Sequence, residues 1–374
     1  MGLHSADLPV FPWDTLAPFK ARAEAHPGGI IDLSVGSPVD PTPEAIQTAL
    51  ARAAESPSYP PTQGSVELRR AIREHYRGVR GVRPPDLDGI MPTIGSKEMV
   101  AKLPSLMGLS AGDIVVCPTI AYPTYKIGAI LAGASPLETD RPTELPPGTA
   151  ARIRLIWLNS PSNPTGEVLS AAELRHIVMW ARERGIVVAS DECYASMPWE
   201  EPWASQGVPS LLHPKVNSGD LTGLLALYSL SKRSNAAGYR MAWIAGDPKL
   251  VGPIVHIRKH MGMMMPGPIQ RAMEAAILDE AHVGEQTERY RSRRATLREA
   301  FEQAGYTVDG SAAGLYLWIK ADDGAPSLGI MDRLARIGIL GAPGTFYGDE
   351  AHVRIALTTS DAAAADAALR LADA

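Results

Sequence analysis

The stretch YSLSKRSNAAGYRMAWIAG, residues 228–246, places one lysine, Lys232, between hydroxylated residues and follows it with an arginine, Arg240. It continues the apolar run GLLALYSL at 223–230, which has the length and leucine-rich composition of a buried strand. A further apolar run, MAWIAG at 241–246, comes directly after Arg240. We interpret the stretch as a strand, a polar turn and a second strand, with Lys232 and Arg240 in the turn.

The same order of elements, a short apolar run followed by a turn and a helical pattern, recurs upstream. The apolar runs there are DIVVCP (113–118), RIRLIWLNSP (152–161) and IVVASDECY (186–194). Strands alternating with amphipathic helices indicate a mainly parallel sheet covered on both faces, and such sheets bind ligands in the loops after the carboxyl ends of the strands. Polar side chains stand at these ends, namely Asn159, Ser160, Asp191, Tyr194, Ser229, Ser231 and Lys232.

Helical and strand patterns flank this α/β region. Before it, DPTPEAIQTALARAA and GSVELRRAIREHYRG predict two helices, which the Pro/Gly-rich loop SPSYPPTQG separates. After it come two long helices, and then YTVDG, GLYLWIK, IGILGAPG and HVRIALT indicate a small separate sheet. We predict a large α/β domain at residues 46–280 and a smaller α+β domain formed by residues 1–45 and 281–374.

Composition and charge exclude several classes of protein. Of the 374 residues, 45% are hydrophobic and 21% are charged, and the net charge is −5. No block of lysine and arginine invites nucleic acid or an anionic membrane, and no window reaches the roughly 18 apolar residues of a membrane span. The N-terminus lacks a signal-peptide pattern, and the cysteines Cys117 and Cys193 form no metal-ligand pair. We expect a cytoplasmic protein without nucleic-acid, membrane or metal partners.

The polar turn around Lys232 predicts a site for an aldehyde that also carries a phosphate. A lysine amine with apolar neighbours and a nearby guanidinium loses its preference for the charged form and becomes a nucleophile for a Schiff base. Arg240, Ser229 and Ser231 supply the guanidinium and hydroxyl donors that bind a phosphate. The two functions together suggest pyridoxal phosphate. An isolated Ser-x-Ser-Lys would instead indicate a surface lysine in a polar turn, so other segments must supply further contacts.

Four other segments supply candidate contacts for this cofactor. Gly95-Ser96-Lys97 stands at a predicted helix start, where free N–H groups favour an anion. Asp191 ends an apolar strand, where a buried carboxylate needs a cation such as a protonated pyridine nitrogen; taken alone, it fits a helix cap equally well. Asn163 can reach the ring hydroxyl from the turn NSPSNPTG, and Tyr122 can stack on the ring, although these residues also fit a plain turn and a core aromatic.

The series NSPSNPTG, SDECY, SLSKRSNAAGYR and HVRIAL resembles the class I/II family of fold-type I pyridoxal-phosphate aminotransferases. The likeness extends from LSVGSPVDPTP to HVRIAL, over most of the chain, in order and in spacing. It implies a large domain with a mainly parallel seven-stranded sheet and a smaller α+β domain. It also implies pyridoxal 5'-phosphate as cofactor, and an amino acid and a 2-oxo acid as small-molecule substrates.

For the cofactor, the resemblance implies three catalytic residues. Lys232 forms the Schiff base and later moves the proton between substrate and cofactor, and Asp191 pairs with the pyridine nitrogen. Tyr194 and Asn163 bind the ring oxygen, and Tyr122 stacks on the ring; Tyr194 is the third catalytic residue. The implied phosphate ligands are Gly95, Ser96, Lys97, Ser229, Ser231 and Arg240.

For the substrate, the resemblance implies that Arg354 in HVRIAL binds the α-carboxylate through two parallel hydrogen bonds. Gly36 in SVGSP belongs to the loop that closes over this carboxylate, and Asn163 contributes beside it. The segment GAPGTFYG at 341–348 helps to shape the pocket. Tyr59 in SYPPTQG crosses the interface of a homodimer to the neighbour's phosphate, so the two protomers share their active sites.

The run SLSKRSNAAGYR, followed by MPGPIQRAM, is most similar to the N-succinyldiaminopimelate aminotransferases of bacterial lysine synthesis, above all in Arg233-Ser234-Asn235. We therefore expect N-succinyl-LL-2,6-diaminopimelate and 2-oxoglutarate as substrates. A distal succinyl carboxylate needs another cation, for which Lys126, Arg83 and Arg233 are candidates. Another aminotransferase of the subgroup and a pyridoxal-phosphate C–S lyase stay open as alternatives. A non-enzymatic sensor is disfavoured, because the substrate loop comes almost at the start of the chain.

Overall fold

The computed structural model describes residues 8–373, so that residues 1–7 and 374 of the predicted small domain lie outside the described part. The strands are β1 (Ile31–Asp32), β2 (Ile90–Ile94), β3 (Ile114–Cys117), β4 (Ser135–Glu138), β5 (Ile153–Asn159), β6 (Val187–Asp191), β7 (Leu224–Ser229), β8 (Met241–Gly246), β9 (Tyr306–Asp309), β10 (Tyr316–Ala321), β11 (Ile339–Leu340), β12 (Ala342–Pro343) and β13 (His352–Ala356). The α-helices are α1 (Ala17–Glu24), α2 (Glu44–Arg52), α3 (Val66–Gly78), α4 (Ser96–Leu106), α5 (Thr124–Ala132), α6 (Pro147–Ala150), α7 (Ala171–Arg182), α8 (Trp203–Gln206), α9 (Pro214–Asn217), α10 (Pro248–His260), α11 (Gly267–Leu278), α12 (Ala281–Gln303), α13 (Ser327–Arg336) and α14 (Asp361–Ala372).

Seven strands form one large sheet in the order β2-β8-β7-β6-β5-β3-β4. The pairs from β7 through β6, β5 and β3 to β4 are parallel, and β8 alone runs against its neighbours β2 and β7. The predicted fold class, a mainly parallel seven-stranded sheet with a smaller α+β part, is confirmed.

The central strand β5 shows how the sheet is covered on both faces. Its alternate side chains point to opposite faces. Ile156 and Leu158 pack with side chains of α7, whereas Leu155 and Trp157 pack on the other face with side chains of α4 and α5. Because both faces are buried along the middle of the strand, its polar residues stand near its two ends: Arg154 is exposed at the start, and Asn159 at the other end lies directly opposite Asp191 of β6.

A second, antiparallel sheet has the order β12-β13-β10-β9. The N-terminal segment joins this part of the molecule, because β1 pairs in parallel with β11. The contact brings residues near position 36 beside the strand that carries Arg354. The division at residues 46 and 280 stays a prediction.

Strand β2 is the element that the sequence patterns do not predict. Its sequence IMPTI contains Pro92, and proline in a strand is usually a sign of an edge or of no strand at all. The structure agrees with the first case, since β2 is an edge strand of the large sheet. Among the described residues, no helix combines the length and the apolar character needed to cross a membrane.

Candidate active site

A cavity of about 490 Å³ lies where the ends of β5, β6 and β7 face the small sheet and the N-terminal segment. Most of the side chains predicted from the sequence line it. These are Gly36, Ser96, Lys97, Tyr122, Asn163, Asp191, Tyr194, Ser229, Ser231, Lys232, Arg240 and Arg354. Two predicted residues, Gly95 and Tyr59, do not line the cavity and are described separately below.

Asp191 lies at the end of β6, beside the last residue of β5. Its carboxylate accepts hydrogen bonds from the Tyr125 hydroxyl at 3.2 Å and from the Cys193 N–H at 3.2 Å. Neither partner is a cation, and burial raises the pKa of Asp191 above its ordinary value. The carboxylate therefore fits a ligand that brings its own positive charge.

Glu192, the next residue, is a carboxylate for which the chain supplies both a cation and hydrogen-bond donors. Its carboxylate is paired with the Arg80 guanidinium at 3.0 Å and also accepts from the Leu211 N–H at 2.8 Å. The two neighbouring carboxylates thus differ in one respect: the chain supplies a cation for Glu192 and none, within residues 8–373, for Asp191.

Lys232 follows β7 and extends its amine into the cavity. The ammonium donates to the carbonyl oxygen of Gly36. Burial, and then the positive charge of Arg354, lower the pKa of Lys232 to about 8. A substantial fraction of neutral amine is therefore present near neutral pH, which is the form that attacks an aldehyde.

The start of α4 and the turn before β8 form an anion cradle. Gly95 has a left-handed φ of 78°, and a side chain at this position would collide with the guanidinium of Arg240. The Gly95 N–H donates to the Arg240 carbonyl oxygen at 2.8 Å, which fixes the two segments together. The hydroxyls of Ser229 and Ser231 lie 2.9 Å apart at the same end, and Ser96 begins the helix. This donor set, with free N–H groups at a helix start, fits a phosphate.

Arg354 of β13 stands on the opposite wall and is only 2% exposed. Its Nη1 donates to the Asn163 side-chain oxygen at 2.9 Å, and its Nη2 donates to the Ser34 carbonyl oxygen at 2.6 Å. Its guanidinium carbon lies 4.1 Å from the centre of the Tyr316 ring. A planar guanidinium held in this way can present two N–H groups to a carboxylate.

Lys97 and the N-terminal segment form the rim of the cavity. The Lys97 ammonium donates to the Tyr122 hydroxyl at 3.0 Å and lies 5.2 Å from the centre of the Phe11 ring. Trp13 packs on Tyr122, with ring centres 5.9 Å apart. The segment 341–348 supports this rim, because Phe346 lies 5.3 Å from Trp13.

Several lining residues were not predicted as site residues. Among them are the aromatic and amide residues Phe11, Trp13, Tyr125, Asn159 and Tyr316. Two of them had a signal in the sequence: Asn159 is a polar residue at a strand end, and Tyr125 belongs to the same AYPTY run as Tyr122. Phe11, Trp13 and Tyr316 lie in segments with no polar strand end, and no pattern singled them out.

The residues that follow Lys232, Arg233-Ser234-Asn235, face α12 rather than the cavity; we call them the 233–235 insert. Arg233 donates to the Glu280 carboxylate at 2.8 Å, Ser234 lies 2.9 Å from the His282 ring, and Asn235 donates to the Gln286 side-chain oxygen at 2.8 Å. Helix α12 also holds Asp40, which follows the Gly36 loop, through Gln286 at 2.8 Å and Arg293 at 2.7 Å. One helix therefore binds both the lysine loop and the substrate loop.

None of the three candidates for a distal cation lines the cavity. Arg233 is buried in its pair with Glu280, Lys126 pairs with Glu138 at 2.6 Å, and Arg83 lines a different cleft. Tyr59 is 95% exposed in the loop between α2 and α3. Its contact across a dimer stays a prediction.

Comparison with known proteins agrees with this geometry. The chain is 51% identical over 370 residues to a protein of Mycobacterium tuberculosis named as a probable aminotransferase, covering 98% of this chain and 86% of that one. It is 47% identical to the 4-dedimethylamino-4-oxo-anhydrotetracycline transaminase OxyQ of Streptomyces rimosus, covering 98% and 99%. It is 32% identical to the LL-diaminopimelate aminotransferase of Aquifex aeolicus, covering 91% and 90%.

Solved structures give the same result. An aminotransferase from Neisseria meningitidis superposes with a TM-score of 0.88 at 27% identity, covering 100% of this chain and 99% of that one. The substrate-bound BacF structure from Bacillus subtilis superposes with a TM-score of 0.88 at 25% identity, covering 100% and 97%. The family model for aminotransferase class I and II matches residues 28–371. The chain therefore belongs to the class I and II aminotransferases, and its cofactor is pyridoxal phosphate.

Proposed function

We propose that this aminotransferase takes the amino group of N-succinyl-LL-2,6-diaminopimelate and passes it to 2-oxoglutarate, as a step of diaminopimelate and lysine synthesis. The observation that carries the proposal is a second cation, Lys97, which lines the same cavity as Arg354. Both proposed substrates carry a distal carboxylate in addition to the one beside the reacting carbon. The similarity to a protein named LL-diaminopimelate aminotransferase is further support.

Pyridoxal phosphate supplies the electron sink that makes the Cα proton of a bound amino acid acidic. Asp191 would hold the protonated ring nitrogen, because it is the carboxylate at the cavity for which the described part of the chain provides no cation. Gly95, Ser96, Ser229, Ser231 and Arg240 would hold the phosphate. Tyr194 and Asn163 would bind the ring oxygen, and Tyr122 would lie against the ring.

The chain's own residues then position and deprotonate the substrate. Arg354 fixes the α-carboxylate, which orients the Cα–H bond for cleavage. Lys232 Nζ takes the proton from Cα and holds it for return, a task suited to an amine whose pKa is about 8. The Gly36 carbonyl, which accepts from this amine, keeps it at the substrate side of the cavity.

Lys97 is assigned to the distal carboxylate by comparison with the other cations of the cavity. Lys232, Arg240 and Arg354 have the tasks given above. The resemblance implies a phosphate contact for Lys97, but its ammonium lies against the Tyr122 hydroxyl and the Phe11 ring at the rim. Because the ammonium is exposed and flexible, it can serve both glutamate and the longer succinylated substrate.

The test compares kcat/KM for N-succinyl-LL-diaminopimelate, free LL-diaminopimelate, alanine and phenylalanine, with 2-oxoglutarate as acceptor. We expect the succinylated compound to be preferred. Alanine and phenylalanine leave the distal cation unpaired, and free LL-diaminopimelate offers it only a second carboxylate that lies beside its own positively charged ammonium group. Lys97→Gln should lower kcat/KM for the succinylated compound by up to about fivefold, as for an exposed ion pair, and leave alanine unchanged. Lys102→Gln, an exposed lysine on the same helix, is the matched control.

Two results would redirect the assignment. If free LL-diaminopimelate is used as well as the succinylated compound, the specific substrate is wrong while the aminotransferase reaction stands. If a cysteine conjugate releases thiol, ammonia and pyruvate without any added 2-oxo acid acceptor, the protein is a C–S lyase.

A second candidate function is amino transfer to a bulky cyclic ketone. The 47% identity to OxyQ, whose name describes a transaminase of a tetracyclic compound, favours it, and so does the aromatic rim of Phe11 and Trp13. Turnover of a tetracyclic ketone with glutamate as donor, faster than turnover of 2-oxoglutarate with the succinylated donor, would decide for this candidate.

We also propose a homodimer in which Tyr59 reaches the partner's phosphate. The near-complete exposure of this tyrosine supports the proposal, since an aromatic side chain at 95% exposure is available to a second chain. Sedimentation at assay concentration should give a dimer, and Tyr59→Phe should weaken cofactor binding. An active monomer would refute the shared site.

A further inference from the structure

Tyr316, at the start of β10, contacts residues from both ends of the cavity. It is 3% exposed, and its ring lies 4.1 Å from the guanidinium carbon of Arg354. Its hydroxyl lies 3.1 Å from the Tyr194 hydroxyl. It also packs against Gly36, where an added side chain would collide with the Tyr316 hydroxyl.

We propose that Tyr316 is a positioning residue with two separable functions. Its ring fixes the plane of the Arg354 guanidinium for the substrate carboxylate, and its hydroxyl donates to Tyr194 and so directs the Tyr194 proton toward the cofactor. The inference rests on the roles proposed above for Arg354 and Tyr194.

The register of the small sheet places the Tyr316 ring next to Arg354. Arg354 of β13 lies directly opposite Trp318 of β10. Tyr316 precedes Trp318 by two residues on β10 and is therefore the diagonal neighbour of Arg354 on the same face of the sheet. Two nitrogens of the guanidinium have hydrogen-bond acceptors, but its Nε has none among residues 8–373. Three aromatic rings lie near the guanidinium carbon, at 4.1 Å for Tyr316, 5.0 Å for Tyr347 and 5.9 Å for Trp13. We assign the tilt of the guanidinium plane to the Tyr316 ring because it is the nearest of the three.

The function of the Tyr316 hydroxyl depends on which of the two tyrosines donates the proton of the hydrogen bond between them. Burial raises the pKa of Tyr194 well above its ordinary value, so the Tyr194 hydroxyl carries a proton at neutral pH. In a pair of hydroxyls one donates and the other accepts. If the Tyr194 proton is used for the ring oxygen of the cofactor, the proton between the two tyrosines must come from Tyr316. A donated bond makes the Tyr194 hydroxyl a stronger donor in turn.

If Tyr316 only filled space in the core, Tyr316→Phe would behave like the wild type, because phenylalanine fills almost the same volume as tyrosine. Tyr316→Phe keeps the ring on Arg354 and removes the hydroxyl, whereas Tyr316→Leu removes both. Tyr306→Phe, at β9 on the edge of the same sheet, removes a tyrosine hydroxyl remote from the cavity and is the matched control.

The experiment uses the holoenzyme and three measurements: the Kd of glutarate, which carries two carboxylates and no amino group to react, the absorption spectrum of the bound cofactor, and kcat. For Tyr316→Phe we expect a glutarate Kd within about twofold of the wild type, a shifted cofactor absorption band and a kcat lowered about fivefold, as for one lost hydrogen bond. For Tyr316→Leu the Kd should also rise by about fivefold or more. Tyr306→Phe should match the wild type in all three.

A double variant separates the hydroxyl's action on Tyr194 from any other effect. In a Tyr194→Phe background, adding Tyr316→Phe should change neither the spectrum nor kcat further, because the acceptor of the proton is already gone. An additional loss there, or a wild-type spectrum and kcat in Tyr316→Phe alone, would overturn the hydroxyl function. Equal weakening of glutarate binding by the Phe and Leu variants would overturn the ring function. Arg354→Lys tests the underlying role of the arginine independently.

Discussion

The two ends of the cavity treat their buried charges in opposite ways. At the cofactor end, Asp191 and Lys232 have no counter-ion from the described chain, and burial shifts the pKa of each toward its neutral form. At the substrate end, Arg354 is more deeply buried, yet it has two acceptors and an aromatic ring in contact. None of the three groups has a counter-ion among residues 8–373, and each has neutral hydrogen-bond partners. The ends differ in charge state: burial moves Asp191 and Lys232 toward their neutral forms, whereas the Arg354 guanidinium keeps its charge.

The difference between the two ends corresponds to how long the cofactor and the substrate each stay bound. A cofactor stays bound through many turnovers, so its contact residues can depend on it for their missing partners. A substrate leaves after each turnover, and an arginine without partners would then be left as a buried unpaired charge. We expect variants at the cofactor end to lose activity toward every substrate, and variants at the substrate end to act mainly through binding.

The largest effect is expected for Lys232→Ala. Loss of the amine that moves the Cα proton should lower kcat by at least about 10³-fold for all amino donors, while the fold and the phosphate contacts remain. Turnover and borohydride trapping of the cofactor, measured on the same preparation, check this. Cofactor still trapped by borohydride in the variant would show that another amine is the point of attachment.

Asp191→Ala should lower kcat by about 10²-fold, because the ring nitrogen loses the carboxylate that keeps it protonated. Cofactor affinity should change much less, since the phosphate contacts are intact. Steady-state kinetics at saturating cofactor, with a separate binding titration, distinguish the two quantities. A fall in rate below about tenfold, or roughly 1.4 kcal/mol, would contradict the assigned role and remove the contrast between the two ends.

Arg354→Lys should lower kcat/KM for glutamate by about 20-fold. An ammonium cannot reproduce the two parallel hydrogen bonds of a guanidinium, and one such charged contact is worth about 1.5–3 kcal/mol. The change should appear mainly in KM, as expected of a binding residue. An unchanged KM for glutamate would show that the α-carboxylate is bound elsewhere.

A prediction that does not involve activity concerns the stability of the cofactor-free protein. The pKa of Lys232 is about 8 in the folded protein and 10.5 as its ordinary value. Unfolding therefore takes up a proton between these pH values, and the free energy of unfolding should rise as the pH increases from about 8 to 10.5. Below this range Lys232→Met should be more stable than the wild type by at most about 3 kcal/mol, a difference that vanishes above it. Urea unfolding at several pH values measures it, and a difference independent of pH would contradict the burial cost.

The cofactor end could be predicted from the sequence because its residues stand at the ends of adjacent parallel strands. Such ends meet at one edge of a sheet, so Asn159, Asp191 and Ser229 had to be neighbours once β5, β6 and β7 were recognised. The glycine and arginine of the anion cradle follow from the same turns. The fold class was predictable for the same reason, apart from β2, in which Pro92 conceals an edge strand.

The substrate end could not be predicted in the same detail. Its residues come from β13, the N-terminal segment and the start of α4, and no periodicity in the sequence shows that these distant segments meet. Tyr316 has the pattern of an ordinary buried strand residue, and Phe11 and Trp13 have the pattern of a loop. Their contacts are decided by tertiary packing, which a single sequence does not reveal.

The contacts of the 233–235 insert limit what the similarity of the SKRSN run says about the substrate of a related enzyme. Its three side chains join the lysine loop to α12, and the same helix holds Asp40 beyond the Gly36 loop. These positions hold the lysine loop and the substrate loop on one helix, whatever amino acid enters the cavity. Two enzymes that share the run share this connection, and a substrate name passed from one to the other on this run alone has no chemical basis.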